Sequence, residues 1–270
     1  MKWSSDAEAA LKKVPFFVRS KVRKTIELQV GEKNKKQVTL ADVQKAQKRF
    51  LNRMAEDIRG YQADTCFGPS GCPYRAVACD SLMRQVEERL AEADLLGFLK
   101  QTVGDQLKYH HEFRVSAAEC PNACSQPQIR DMGIIGAVVP VITDEVCTGC
   151  AACVSVCPDS AVTIDHDRGI PVINSAACLM CGRCITACPA GTIRAGQKGF
   201  RVQLGGRLGR HPRLGMELPA ILSEAQVLEV LDNALCFYKA RSRKGARFSR
   251  LLTEQDLETI FSGQKGISKY

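Results

Sequence analysis

The chain has 270 residues, 45% of them apolar, which suits one large soluble domain or two ordinary ones. The longest apolar run, Ile134 to Ile142, is nine residues and contains Gly136 and Pro140. It falls well short of the roughly 18 residues a membrane-spanning helix needs. The formal charge of +9 invites a nucleic-acid reading, but the cysteine content argues against it.

The N-terminal residues, MKWSSDAEAALKK, alternate charged and apolar side chains and have no apolar signal core. With the absence of a spanning segment this gives a cytoplasmic expectation. Residues 1–60 read as a small helical domain. Ser5-x-x-Glu8 and Thr39-x-x-Asp42 have the spacing of capping boxes. Val43, Ala46, Phe50, Met54 and Ile58 follow helical spacing along one face, beneath which Phe16, Phe17, Val22 and Ile26 are expected to pack. GEKNKK, residues 31–36, is a polar connector.

A helical segment is expected near Ala76 to Lys100 and a strand at Phe113 to Ala117. Further on, Arg201 to Leu204 reads as a short strand leading into the glycine-rich loop GGRLGRHPRLG. Ser223-x-x-Gln226 caps a helix with Val227, Val230, Leu231, Ala234, Leu235 and Tyr238 on one face. A last short helix follows Thr253-x-x-Asp256.

Eight of the 14 cysteines lie between Cys147 and Cys188. Cys147-x2-Cys150-x2-Cys153-x3-Cys157-Pro158 is repeated as Cys178-x2-Cys181-x2-Cys184-x3-Cys188-Pro189. Three cysteines two residues apart wrap one corner of a cubane, and the fourth reaches the other cluster. Cys147, Cys150, Cys153 and Cys188 are therefore expected to hold one 4Fe-4S cluster, and Cys178, Cys181, Cys184 and Cys157 a second. Structural zinc also takes four cysteines, but rarely in two interleaved runs of this kind. Between the runs, Ala161 to Asp165 and Ile170 to Ile173 read as an antiparallel pair joined near His166 to Gly169. Residues 144–190 are thus a bacterial-type two-cluster ferredoxin unit that relays electrons.

Cys66-x5-Cys72 and Cys120-x3-Cys124 form a second constellation able to hold a third 4Fe-4S cluster. Three clusters, each with a net charge of about −2 including its thiolates, would lower the overall charge to about +3. No nucleic-acid partner is therefore expected, and no aromatic-basic motif is present.

The contexts TCFGPSGCPYRA, ECPNAC followed by IRDMGIIG, FRVQLGGRLGRHPRLG and RSRKGARFSRLL resemble the sirohaem-containing sulfite and nitrite reductases. The two-cluster insert is similar to that of dissimilatory and anaerobic sulfite reductase subunits. The resemblance covers about residues 61–252 and implies an α+β fold. In it, a sulfite-reductase-like sirohaem/4Fe-4S domain (61–143 and 191–270) carries the inserted ferredoxin domain. It also implies that Cys124 bridges the third cluster to the sirohaem iron, with Cys66, Cys72 and Cys120 completing the ligands. Sirohaem carries many carboxylates and needs cationic partners. Arg130, Arg201, Arg207, Arg210 and Arg213 are the candidates, with Gly205 and Gly206 allowing close backbone approach.

The implied activity is multi-electron reduction of sulfite or a similar small anion, with a redox partner protein or a larger oxidoreductase complex. The family's preceding ferredoxin-like half-domain is not found in this sequence. That departure favours two other readings: a three-cluster electron-transfer subunit without haem, or one half of a site completed by a partner subunit. Residues 1–60 instead resemble the C-terminal domain of the light-independent protochlorophyllide reductase B subunit. Cys79 and Cys236 are expected to be buried inert thiols. His110 and His111 are possible proton donors near an anion.

Overall fold

The computed structural model describes residues 1–32, 35–104, 107–165 and 167–261, without the side chains of 50–56. The chain divides into two compact units, 1–58 with 104–109, and 59–103 with 110–270.

In the first unit, β1 (Lys2–Trp3) pairs in parallel with β2 (Gln37–Val38), and three helices follow the expected course: α1 (Ser5–Lys12), α2 (Phe16–Gly31) and α3 (Leu40–Glu56). Their core is Ala7, Ile26, Val30, Val38 and Val43, flanked by Trp3, Ala10, Val22 and Ala46. The expectation for Phe16 and Phe17 is corrected, because they are 82% and 73% exposed. Phe17 lies nine residues before Ile26, half a turn out of phase at about 100° per residue. The first cap also shifts by one residue. Ser4, in extended backbone, accepts from the Ala7 amide, while Glu8 pairs with Arg23. The second cap is as expected on its acidic side, since the Asp42 carboxylate accepts from the Thr39 amide and hydroxyl. Phe50 and Met54 lie outside the described side chains.

The second unit is built on a five-stranded sheet in the order β3-β4-β5-β8-β9, comprising β3 (Tyr61–Thr65), β4 (Phe113–Ala118), β5 (Met132–Ile142), β8 (Ile193–Leu204) and β9 (Met216–Glu217). β3, β4 and β5 are parallel, and β8 runs antiparallel to β5 and to β9. Alternation gives the sheet one apolar face: Phe113, Val115, Ala117, Met132, Ile134, Phe200, Val202 and Leu204 are buried in one cluster. Helices α4 (Asp80–Glu92) and α8 (Glu224–Arg241) contribute Leu82, Val86, Leu90, Val227, Val230, Leu231, Ala234, Leu235 and Tyr238 to that cluster. The expected helix near 76–100 is broken by Asp94 at φ 42°, so α5 (Leu95–Val103) is separate. The capping box at Ser223 and Gln226 forms, the one-turn helix α9 (Phe248–Leu251) follows, and Asp256 accepts from Thr253 at the start of α10 (Glu254–Phe261).

β5 and β8 form a long antiparallel ladder from Met132↔Leu204 to Ile142↔Ile193, with a register shift between Val138 and Pro140. Proline has no amide hydrogen to give the ladder, so a bulge there is its ordinary consequence. Residues 143–192 leave and return at the end of this ladder. They hold the one-turn helices α6 (Ala152–Ser155) and α7 (Arg183–Ala187), and the antiparallel pair β6 (Val162–Asp165) and β7 (Ile170–Ile173). His166 lies outside the described residues.

Candidate iron-sulfur centres

The two repeated cysteine runs adopt matching backbones. Positive φ occurs at the paired positions 149 and 180, 151 and 182, and 160 and 191. Three of these six residues, Ala151, Ser160 and Met180, are not glycine, so the turns are held in an uncommon conformation. The effect is to start α6 and α7 so that Cys153 and Cys184 are buried on them.

The fourth cysteine of each run crosses over. Cys147, Cys150, Cys153 and Cys188 line one cavity together with Ile164 and Ile193. Cys157, Cys178, Cys181 and Cys184 line another with Pro140 and Val162. Burial, and then the neighbouring Cys178, Cys181 and Cys157, push the Cys184 thiol up to about 11. Burial also raises Cys153 and Cys178. The Ala152 amide and the Thr148 side chain lower Cys150. Burial acts to raise Cys188, but amides from Ala190 to Ile193 outweigh it and leave the thiol lowered. Amides also donate to sulfur at Cys147, from Gly149 at 3.4 Å, and at Cys157, from Ala161 at 3.2 Å. Crowded sulfur donors with mutually unfavourable charge suit metal-bound thiolates, and amide hydrogen bonds to sulfur tune cluster potential.

The outer cysteines follow the carboxyl ends of neighbouring parallel strands, where α/β sheets commonly place their sites. Cys66 comes directly after β3, while Cys120 and Cys124 lie in the crossover from β4 to β5. Burial raises the Cys120 thiol, and Cys66, Cys72 and Cys124 add to the effect, so the four sulfurs form one electrostatic group. Cys120 is buried, Cys66 and Cys72 are partly buried, and Cys124 is exposed. The donor set fits a four-thiolate cluster whose Cys124 side opens outward.

Glu119 is a supporting residue that sequence reasoning missed. It is 1% exposed, its amide donates to Cys66 Sγ at 3.4 Å, and its carbonyl accepts from Ala76 and Val77. Its carboxylate accepts from the Cys79 amide at 2.9 Å and lies 2.8 Å from Arg75 Nε. It therefore joins both cysteine loops. A Cβ on Gly68 would come within 1.9 Å of that carboxylate. The only sequence signal was an acidic residue directly before the first cysteine of CX3C.

Cys79 is fully buried, with its thiol pushed up to about 12 by burial and then by Glu119. Cys236 contradicts the expectation of burial: it is exposed. It shares a stripe of α8 with exposed Ala225, Glu229 and Ala240, away from the Leu231–Leu235 face.

The candidate arginines separate. Arg130 donates to Asp64 at 3.0 Å, close to Cys66, and its Nε is buried without a partner among the described residues, as is Asp64 Oδ1. The Arg130 donor fits an anionic group, whereas the Asp64 oxygen is an acceptor and calls for a donor. Arg201 is bound by Glu217 through both Nε and Nη2. Arg213 donates to the carbonyls of Gly205, Ser249 and Leu252. Arg207 donates to the His211 and Ser249 carbonyls. Arg207 and Arg210 line a separate cleft beyond the end of β8. A Cβ on Gly205 would meet Arg213 at 2.7 Å, and one on Gly206 would meet the Gln128 carbonyl at 2.3 Å. The chain's own close contacts therefore account for both glycines. His110 lines the same cleft, and His111 accepts from Tyr238 through its carbonyl.

The Nitrite and sulphite reductase 4Fe-4S domain model matches residues 65–264. The chain belongs to that family. Residues 3–47 match the Proto-chlorophyllide reductase 57 kD subunit model. Among curated relatives of this sulfite-reductase-like iron-sulfur protein, the Coenzyme F420-dependent sulfite reductase of Methanocaldococcus jannaschii is 31% identical over 67% of the chain and 27% of the relative. An anaerobic sulfite reductase subunit of Salmonella typhimurium is 36% identical over 44% of the chain and 36% of the relative. The chain thus spans about a quarter to a third of these two proteins. The crystal structure of dissimilatory sulfite reductase I shares the fold, with a TM-score of 0.50 at 18% identity over 76% of this chain and 52% of that one. Among the described residues no helix is long and apolar enough to cross a membrane.

Proposed function

We propose that this chain is an electron-delivering and anion-reducing subunit. Electrons enter at the cluster of Cys147, Cys150, Cys153 and Cys188, and pass to that of Cys157, Cys178, Cys181 and Cys184. They then reach a third cluster on Cys66, Cys72, Cys120 and Cys124. The observation that carries this order is the attachment of the 178–184 loop to the reductase sheet. The Val138 amide donates to the Met180 carbonyl at 2.8 Å, and Arg183 stacks on Tyr74, two residues after Cys72. These contacts support a path from the second cluster to the third.

Sirohaem, bound at the outward-facing Cys124, would supply the multi-electron chemistry on sulfite or a similar anion. Arg130 would neutralise a carboxylate of the group or an oxygen of the anion, since its guanidinium is held by Asp64 and keeps a buried donor in reserve. Residues 61–143 and 191–270 form the reductase domain in this reading, 144–190 the ferredoxin insert, and 1–60 an accessory helical domain. A redox partner or companion protein delivers the electrons, a role supported by the Salmonella relative, which is named as one subunit of its reductase.

A second reading, a three-cluster electron carrier without haem, is favoured by the internal engagement of Arg201, Arg213 and the Gly205–Gly206 pair. Anaerobic purification, an iron and acid-labile sulfide count and a visible spectrum decide between them. About 13 irons with isobacteriochlorin bands support the reductase, and about 12 without bands support the carrier. About eight irons would overturn the third cluster in both.

A further inference from the structure

Beyond the last residue of β8 lies a cleft of about 370 Å³, a size suited to a small ligand. Its lining includes five cationic side chains, Arg207, Arg210, Lys244, Arg247 and Arg250, and no aspartate or glutamate. None of the five makes a salt bridge among the described residues. Elsewhere in the second unit, Arg75, Arg89, Arg130, Arg194, Arg201 and Arg241 are each matched to a carboxylate. What sets the cleft apart is that five such groups gather round one cavity. The adjoining carboxylate, Asp131, is 1% exposed and accepts from the Arg114 and Ser249 amides behind the lining.

A second observation is independent of the charge count. Two buried atoms of residues that line the cleft, Arg247 Nε and Ser249 Oγ, have no hydrogen-bond partner among the described residues. Buried donors left unsatisfied are costly, and a bound anion would satisfy them.

Topology separates the cleft from the cysteines. Leu204 is in register with Met132, and Met132 with Val115, so the residues after β8 lie near the start of β4. Cys66 and Cys120 follow the opposite ends of β3 and β4. A six-residue strand spans roughly 20 Å.

We propose that this cleft is a binding site for a diphosphate group, distinct from the iron-sulfur centres. A singly charged anion would leave most of the five cations facing one another. A diphosphate concentrates roughly three negative charges in a small volume, and its oxygens match the paired donors of arginine.

The test uses the anaerobically purified full-length holoprotein and inorganic pyrophosphate in titration calorimetry at moderate salt. The comparison variants are Lys244→Glu with Arg250→Glu, both exposed, and Arg84→Glu with Lys198→Glu, exposed and outside the lining, as a control with the same change of net charge. Saturable one-to-one binding, weakened by about tenfold or more in the double variant and unchanged in the control, is the expected result. Equal weakening by the charge-matched control, or no saturable binding, overturns the site. Citrate binding as tightly as pyrophosphate overturns the phosphate class in favour of carboxylates. Iron content and visible spectrum, recorded on each protein, report the redox centres separately.

Discussion

The Arg183 guanidinium lies 4.2 Å from the centre of the Tyr74 ring. It joins the first residue of α7 to the loop just after Cys72. Such a contact is worth about 0.5–1 kcal/mol at an exposed site, so Arg183→Ala is expected to leave folding and iron content intact. Its effect should fall on transfer from the insert to the third cluster. Rapid-mixing reduction followed by the spectra of the separate clusters should show the outer cluster lagging in the variant.

Glu119→Ala removes the partner of the Cys79 amide and of Arg75 and leaves buried space beside Gly68. A buried donor stripped of its acceptor costs about 1–3 kcal/mol, and the loss is concentrated on the two loops that carry the outer cysteines. The variant should lose about four irons and keep about eight in the insert. An iron count and the spectrum of the purified variant check this.

The parts legible in the sequence were those whose spacing is set by a local rule. The interleaved cysteine runs, the Ser223 capping box and the β6–β7 pair each depend on a few neighbouring residues. β3 and β5 were missed because their hydrogen bonds are made to distant strands, and β5, buried on both faces over much of its length and interrupted by Gly133, Gly136 and Pro140, shows no alternation. Phe16 and Phe17 looked like core because they are large and apolar, but their phase relative to Ile26 puts them outside. The glycine pair at 205–206 was read as room for a cofactor, whereas its neighbours are Arg213, Leu252 and the 128–130 backbone. Glu119 was invisible because its partners, Arg75 and Cys79, come together only in the folded chain.

Asp131 gives a pH signature. Burial is the largest influence and raises its carboxyl to about 6, against the opposing effects of Arg247 and of the Arg114 and Ser249 amides. The folded state therefore holds this proton over a range, about pH 4 to 6, in which the unfolded chain releases it. Over that range the folded protein binds more protons, so the contribution of Asp131 to stability falls as pH rises. Asp131→Asn removes this dependence. Unfolding rates measured under argon at pH 5 and pH 7 should change less between the two pH values in the variant than in the native protein.

The two cysteines outside the three sets should differ in reactivity. Cys236 is exposed on α8, and Cys79 is buried with its thiol held protonated. Iodoacetamide applied briefly to the folded holoprotein should modify Cys236 and spare Cys79, as read by peptide mass spectrometry. Cys236→Ser should leave iron content and stability unchanged.

The ladder contact between Ile142 and Ile193 means that the polypeptide leaves the sheet and rejoins it within one inter-strand step, about 5 Å. Everything between those residues is topologically a long hairpin tip. A module gained or lost there changes no strand order and breaks no pairing in the sheet, so a short turn could take its place and leave β5 and β8 in register. The same junction accepts any compact unit whose two ends lie side by side. A scaffold of this shape can thus exchange the whole 143–192 segment as a cassette, without redesign of the sheet that carries it.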